Sequence, residues 1–321
     1  MKKQGIQLLR VIACISVFLT HFGQRFGLQG TVRSVFDLGA YGVQLFYVIS
    51  GFLACVSWEK KSDSITFGKS VLQYYQRRMA RILPLYYFCI LYFFLTETFL
   101  WKDVPSDSLR LYWSRYLFFL NAVVPSDGYF WGNIGLTWTI PVFVFFYLVF
   151  PFLHRICNSA WKSAFGFILF CGISLLNKRF FPGYFDAIGG LPIFLLGMCV
   201  YYSLKEQRTI ALSLGAATAA CGLFGFVGPA MGISGVFAIL LFAADRIVIP
   251  HPFQSAVSLI DRYSFAIYLC HGIVFCGLLD KVPHPRYLTP IIAILGTAVL
   301  SVAVHHLIEE PCSKLLYKKQ L

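Results

Sequence analysis

The chain has 321 residues, of which 58% are hydrophobic and 13% charged, with a mean hydropathy of +0.70. A water-soluble domain of this length exposes far more charge, so composition excludes a soluble globular protein and leaves a polytopic membrane protein in contact with the lipid bilayer. The net charge of +13 then reads as membrane topology plus affinity for anionic headgroups or an anionic cytosolic ligand, and no nucleic-acid partner is expected.

Apolar runs near the ~17–25 residues needed to cross a bilayer recur from end to end. They predict an all-α fold of about ten transmembrane helices, at 7–24, 42–58, 82–100, 136–156, 160–176, 187–204, 209–226, 230–248, 262–279 and 287–307. The first run could pass for a secretory signal, but it has no small-residue cleavage site and holds Arg10, so it is predicted to stay as a helix. The spans at 160–176 and at 209–248 are the least sharply marked, the latter pair interrupted by Gly and Pro. Ten spans with Lys2 and Lys3 inside put both termini in the cytoplasm, and roughly twice as many Lys and Arg fall on that side as on the other. The expected location is the cell (inner) membrane, multi-pass. Residues 101–135 form the longest interruption, external and rich in aromatics, and within it the stretch 111–120 is too short to span and is expected at the interface. No repeat or low-complexity tract divides the chain, so residues 1–321 are read as one integral-membrane domain. The ten cysteines include no CxxC pair and are expected as free thiols.

The polar residues of the spans carry the chemistry. Arg10 and His21, eleven positions apart, differ by about 20° around a helix and by roughly 16 Å along it, so they share one face. Arg10 is then near the cytoplasmic mouth and His21 near the outer leaflet. Ionisable groups in spans usually face a bundle interior or wet cavity and mark a substrate path; a snorkelling arginine and an interfacial histidine are the bland counterpart. In the second span Gln44 is expected at about the depth of His21, where it could orient the imidazole, with Ser50 and Gly51 deeper. Arg77, Arg78 and Arg81 lead into the third span, and clustered guanidinium groups suit phosphate, although alone they are ordinary positive-inside signal. Ser264, Tyr268 and His271 share a face of the ninth span by i, i+4, i+7 spacing, and Glu309 and Glu310 meet the cytoplasm where Pro311 is expected to stop the tenth. No His/Cys/Asp/Glu set has ligand spacing on one face, so no metal is expected.

In order, Arg10 with His21, G-V-x-L-F-Y-V-I-S-G-F (42–52), R-R-x-x-R-I-x-P-x-Y (77–86), W-T-I-P-V with F-Y-L-V-F-P (138–151), Y-S-x-x-I-Y-L-x-H (263–271) and I-E-x-P (308–311) resemble the acyltransferase-3 family of integral membrane O-acyltransferases of cell-surface glycans. The resemblance covers nearly the whole chain. It implies transfer of an acyl group, most readily acetyl, from cytosolic acyl-CoA to a hydroxyl of a cell-envelope polysaccharide or glycolipid. Acyl-CoA is then a donor substrate, a glycan or lipid-linked saccharide is the acceptor, and no cofactor is permanently bound. It implies His21 as the base, Arg10 and Arg77, Arg78 and Arg81 as groups holding the acyl-CoA, and Gln44, Ser50, Trp138, Ser264, Tyr268, His271 and Glu309 as lining groups. The sequence makes two departures from the family: Phe143 and Val144 stand where an acidic residue is common, and Gln44 where aspartate is frequent. They bear on acceptor specificity and on the orientation of His21. The alternatives from other classes are a transporter of a lipid-linked glycan or small anion, and an inactive relative.

Overall fold

The computed structural model describes residues 3–59, 66–102, 114–122, 137–180 and 187–318, and among them every regular element is helical. The chain rises through α1 (Lys3–Arg25) and turns back through α2 (Gly30–Asp37) and a 3₁₀ turn at Leu38–Tyr41 into α3 (Gly42–Glu59). α4 (Phe67–Leu95), extended by a π-turn at Thr96–Leu100, is followed by α5 (Thr139–Ile156), α6 (Ala160–Phe180) and α7 (Ala187–Lys205). Then come α8 (Ile210–Leu223), α9 (Pro229–Ala243), α10 (His251–Gly272) and a last helix, α11, running Arg286–Leu315.

Among the described residues, 9 helices are long and apolar enough to cross a membrane. The span expected at 209–226 is the shortfall: α8 has 14 residues, about 21 Å of helix against roughly 30 Å of hydrocarbon. It ends where Gly225 takes a φ of +76° and the Phe226 amide turns back to the Cys221 carbonyl at 2.8 Å, a glycine-capped helix end.

Two boundaries are corrected. α4 begins at Phe67 rather than near 82, so Arg77, Arg78 and Arg81 lie well inside a helix instead of ahead of one. Nor does Pro311 stop the last helix. A π-turn at His305–Glu309 precedes it, and the helix continues through Pro311 as the stretch Glu310–Lys318. Most of the aromatic segment 101–135 lies outside the described residues. Its 114–122 part is tied to α4 by the Tyr86 and Tyr87 hydroxyls, which donate to the Tyr116 and Leu117 carbonyls at 2.8 Å each.

Lipid tails are as apolar as leucine, so helices here associate through close packing at small residues rather than through expulsion from water. α7 illustrates this: apolar on every side, it is sheathed by α3, α5, α6, α8 and α9. Where α3 and α7 cross, a Cβ on Gly51 would strike the Phe194 carbonyl, and a Cβ on Gly197 would strike that of Val48. The clash is with backbone, which cannot rotate away. Gly197→Val is therefore expected to destabilise the bundle by at least about 1–3 kcal/mol, read as a lower melting temperature in detergent. Gly172, in α6 with nothing within 4 Å of an added Cβ, is the control, since alanine there relieves a helix-interior glycine of about 0.5–1 kcal/mol. Equal behaviour of the two variants would refute the crossing as the constraint.

Candidate active site

α1 and α10 run parallel and in contact, and the polar residues of each meet along the seam. Toward one end Arg10 Nη2 lies 2.5 Å from Asp261 Oδ1, while Gln7 Nε2 donates to Asp261 Oδ2 at 3.3 Å. Asp261 is buried, at 5% exposure. A carboxylate so placed survives only with a partner, and the pair holds the arginine against α10.

Beside this pair is a cavity of about 110 Å³ between α1, α3, α4, α5 and α10. Arg10, Arg78 and Arg81 line it with Ser50, Ser264 and Tyr268, and no carboxylate is among its described lining residues. Three guanidinium groups on low-dielectric walls make an electropositive slot suited to phosphate or another anion. Arg78 is fixed by its Nη2 donating to the Leu53 carbonyl at 3.0 Å and by the Tyr147 ring, 4.8 Å from its guanidinium carbon. Tyr268 is fixed by a 2.7 Å hydrogen bond between its hydroxyl and that of Thr139.

Toward the other end of the seam, His21 and His271 stack with centroids 5.2 Å apart. The His21 Nδ1 is 3.0 Å from Gln24 Oε1. An amide oxygen only accepts, so Nδ1 carries the proton and Nε2 presents a lone pair. The His271 Nδ1 donates to the Ile267 carbonyl at 3.1 Å, which leaves its buried Nε2 as a bare acceptor with no partner. The Tyr268 ring, a wall of the cavity, lies edge-on to His271 at 5.9 Å. Aromatic rings thus run without a break from the arginine-lined slot to His21.

A second cavity, of about 220 Å³, lies between α3, α5, α6, α7 and α9 and is lined by Gln44, Tyr47, Trp138, Ser174 and Gly190 among others. Tyr47 lines it, Phe143 lines the first cavity, and their rings touch edge to face at 5.0 Å, so this aromatic pair stands between the two linings.

The sequence profile of a family described as "Acyltransferase domain" matches residues 3–308. The chain belongs to this acyltransferase family. It is 26% identical to Exopolysaccharide production protein ExoZ of Rhizobium meliloti (strain 1021) over 86% of this chain and 90% of the relative. It is 24% identical to Acyltransferase MdmB of Streptomyces mycarofaciens over 97% of this chain and 92% of the relative. No solved structure matches it.

The residues expected to form the acyltransferase site divide into three groups. Arg10, Ser50, Arg78, Arg81, Ser264 and Tyr268 share the first cavity, His21 and His271 form the stacked pair, and Gln44 and Trp138 line the second cavity. Arg77 lines neither cavity, and its Nε and Nη2 are buried without a partner. Glu309 lines neither and pairs with His305 at 2.9 Å. Gln44 does not orient His21. α2 and the 3₁₀ turn occupy the space beside the outer half of α1, with Thr20 Oγ1 donating to the Phe36 carbonyl at 2.7 Å, so α3 starts lower, where Gly42 abuts Ala13. Gln24, one turn along from His21, takes the place expected of Gln44. The expectation that no ligand-type set shares a face is also corrected: His305, His306 and Glu310 bring such atoms within 4.8 Å of one another. Glu310 is already engaged there by Lys314 at 2.7 Å and His306 at 3.0 Å.

Asp261 escaped sequence reasoning because the ninth span was drawn from 262, whereas α10 begins at His251. Its signal was present, since Asp261, Ser264, Tyr268 and His271 recur on one face. Tyr147, beneath Arg78, stood within the F-Y-L-V-F-P motif, but nothing in the sequence placed it against an arginine of α4.

Proposed function

We propose that this acyltransferase moves an acyl group, acetyl in the first instance, from cytosolic acyl-CoA to a hydroxyl of a cell-envelope polysaccharide or glycolipid. The observation that carries the reading is the seam itself, with an anion-binding slot at one end and a bare imidazole nitrogen at the other. The acidic CoA phosphates suit Arg78, Arg81 and Arg10, the last held by Asp261. The thioester then lies toward Tyr268 and the histidine pair. An alcohol becomes a competent nucleophile when a positioned base takes its proton. In the step proposed, the acceptor oxygen attacks the thioester carbonyl while its proton passes to His21 Nε2. The C–S bond breaks, and the departing thiolate recovers that proton from the imidazolium, so one ester and one free thiol result. No bound cofactor is consumed. The Arg10 end faces the cytosol in this reading, in line with the Lys/Arg bias. A glycan acceptor draws support from the exopolysaccharide production for which one relative is named.

Mass spectrometry of surface polysaccharide from cells with and without the gene tests this. Loss of one acyl mass increment on deletion, restored by a plasmid copy, is expected; a glycan identical in both strains would refute the assignment.

A further inference from the structure

The second cavity is not explained by donor binding, since none of the three slot arginines lines it and the aromatic pair Tyr47–Phe143 stands between its lining and theirs. Two of its lining side chains end in polar atoms that are buried and have no partner, Gln44 Oε1 and the Tyr47 hydroxyl, and Tyr47 is only 3% exposed. Buried polar groups normally find a partner, and two such groups in one cavity leave hydrogen-bonding capacity for an occupant.

The backbone says what kind of occupant. Three helices of ordinary length begin on this cavity: α5 at Trp138, which precedes its first turn, α7 at Gly189 and Gly190 in its first turn, and α9 at Gly228, Ala230 and Met231. The starts of helices carry partial positive charge and amides without intrahelical acceptors. No Asp, Glu, Lys, Arg or His is among the described lining residues, so none of the described lining side chains cancels that backbone field with a charge. A pocket for a neutral sugar would be expected to offer carboxylates to the sugar hydroxyls. This one offers the Tyr47 hydroxyl and a positive field to an anion and the Gln44 Oε1 acceptor to a hydroxyl, together with the flat faces of Trp138 and Tyr47 on which a pyranose ring can lie.

We infer that the cavity bounded by Gln44, Tyr47, Trp138 and the starts of α5, α7 and α9 is the acceptor site, and that it takes a saccharide bearing a carboxylate. The inference rests on the acyl-transfer reading above for the word acceptor, but the binding it describes is separate from catalysis. The carboxylate lies at the helix starts and accepts from the Tyr47 hydroxyl. The Gln44 amide bonds a neighbouring ring hydroxyl.

Equilibrium binding to the purified full-length chain in detergent, with cellobiouronic acid and cellobiose as probes, reads the site through a single difference, a carboxylate in place of a hydroxymethyl group. The uronate is expected to bind at least about tenfold tighter. Gln44→Glu, which sets a carboxylate against the ligand's own, is expected to abolish that preference, and Tyr47→Phe, which removes one oxygen without altering the packed ring, to weaken uronate binding while leaving the melting temperature in place. Equal binding of the two sugars, binding of neither, or a uronate preference untouched by both variants would each overturn the site. Acetyl-CoA consumption in the same preparation tests the underlying reading apart from this one. A chain that prefers the uronate yet never transfers an acyl group keeps the site and loses the acyl-transfer assignment, whereas one that acylates both sugars alike loses the site alone.

Discussion

Replacing His21 with alanine is expected to lower kcat for acyl transfer by about 10²–10⁴-fold, the usual contribution of a positioned general base, while the KM for acyl-CoA stays within about twofold. The split follows from the geometry. The guanidinium groups lie around the slot at the far end of the seam, roughly 16 Å along α1 from His21, so the donor's charged part does not sense the imidazole. Only the step in which a hydroxyl loses its proton does. Gln24→Ala gives a smaller effect of the same kind, because it removes the 3.0 Å acceptor that keeps the proton on Nδ1 and the lone pair on Nε2. Steady-state kinetics with purified protein checks both. A His21→Ala variant retaining more than about a tenth of wild-type kcat would remove His21 as the base, and a large rise in KM with kcat unchanged would reassign it to binding.

The second large effect concerns the pair on the same seam. Asp261→Leu should destabilise the protein by about 3 kcal/mol, the lower end of what breaking a buried ion pair costs, because Arg10 keeps a side-chain exposure of 19% and can partly rehydrate. Arg10→Met alone leaves the Asp261 carboxylate buried with only Gln7 beside it and should cost at least as much. The double variant Arg10→Met/Asp261→Leu places apolar groups opposite each other and is expected to recover most of the lost stability, since a buried pair and a well-packed apolar replacement come out near even. It should not recover activity, because one of three cations of the slot is gone. Melting temperatures in detergent and acyl-CoA affinity of the three variants decide the matter. If the double variant melts no higher than the single ones, the pair is not what couples these side chains. If it regains acyl-CoA affinity, Arg10 serves the fold and not the donor.

Much about this acyltransferase could be read from the chain before any coordinates. Composition and the recurrence of apolar runs led to a helical membrane protein, because a bilayer demands long, continuous, internally hydrogen-bonded segments that leave an unmistakable trace in sequence. Helical periodicity placed Arg10 and His21 on one stripe, and Ser264, Tyr268 and His271 on another, since 3.6 residues per turn is a local rule that needs no tertiary knowledge. Which stripes face each other was beyond local rules. That α1 lies parallel to α10, so that Arg10 meets Asp261 and His21 meets His271, depends on packing between segments some 250 residues apart. The placement of Gln44 turned on a similar matter, for a helix start read as a membrane boundary proved to be the continuation of α2 folded back along α1. The division of the polar residues between two cavities was likewise decided in three dimensions, by the Tyr47 and Phe143 rings meeting edge to face between α3 and α5. Sequence determined which residues could do chemistry, because residue type and helical phase are local properties. Tertiary structure decided which of them do it together, because that depends on which helix faces pack against one another.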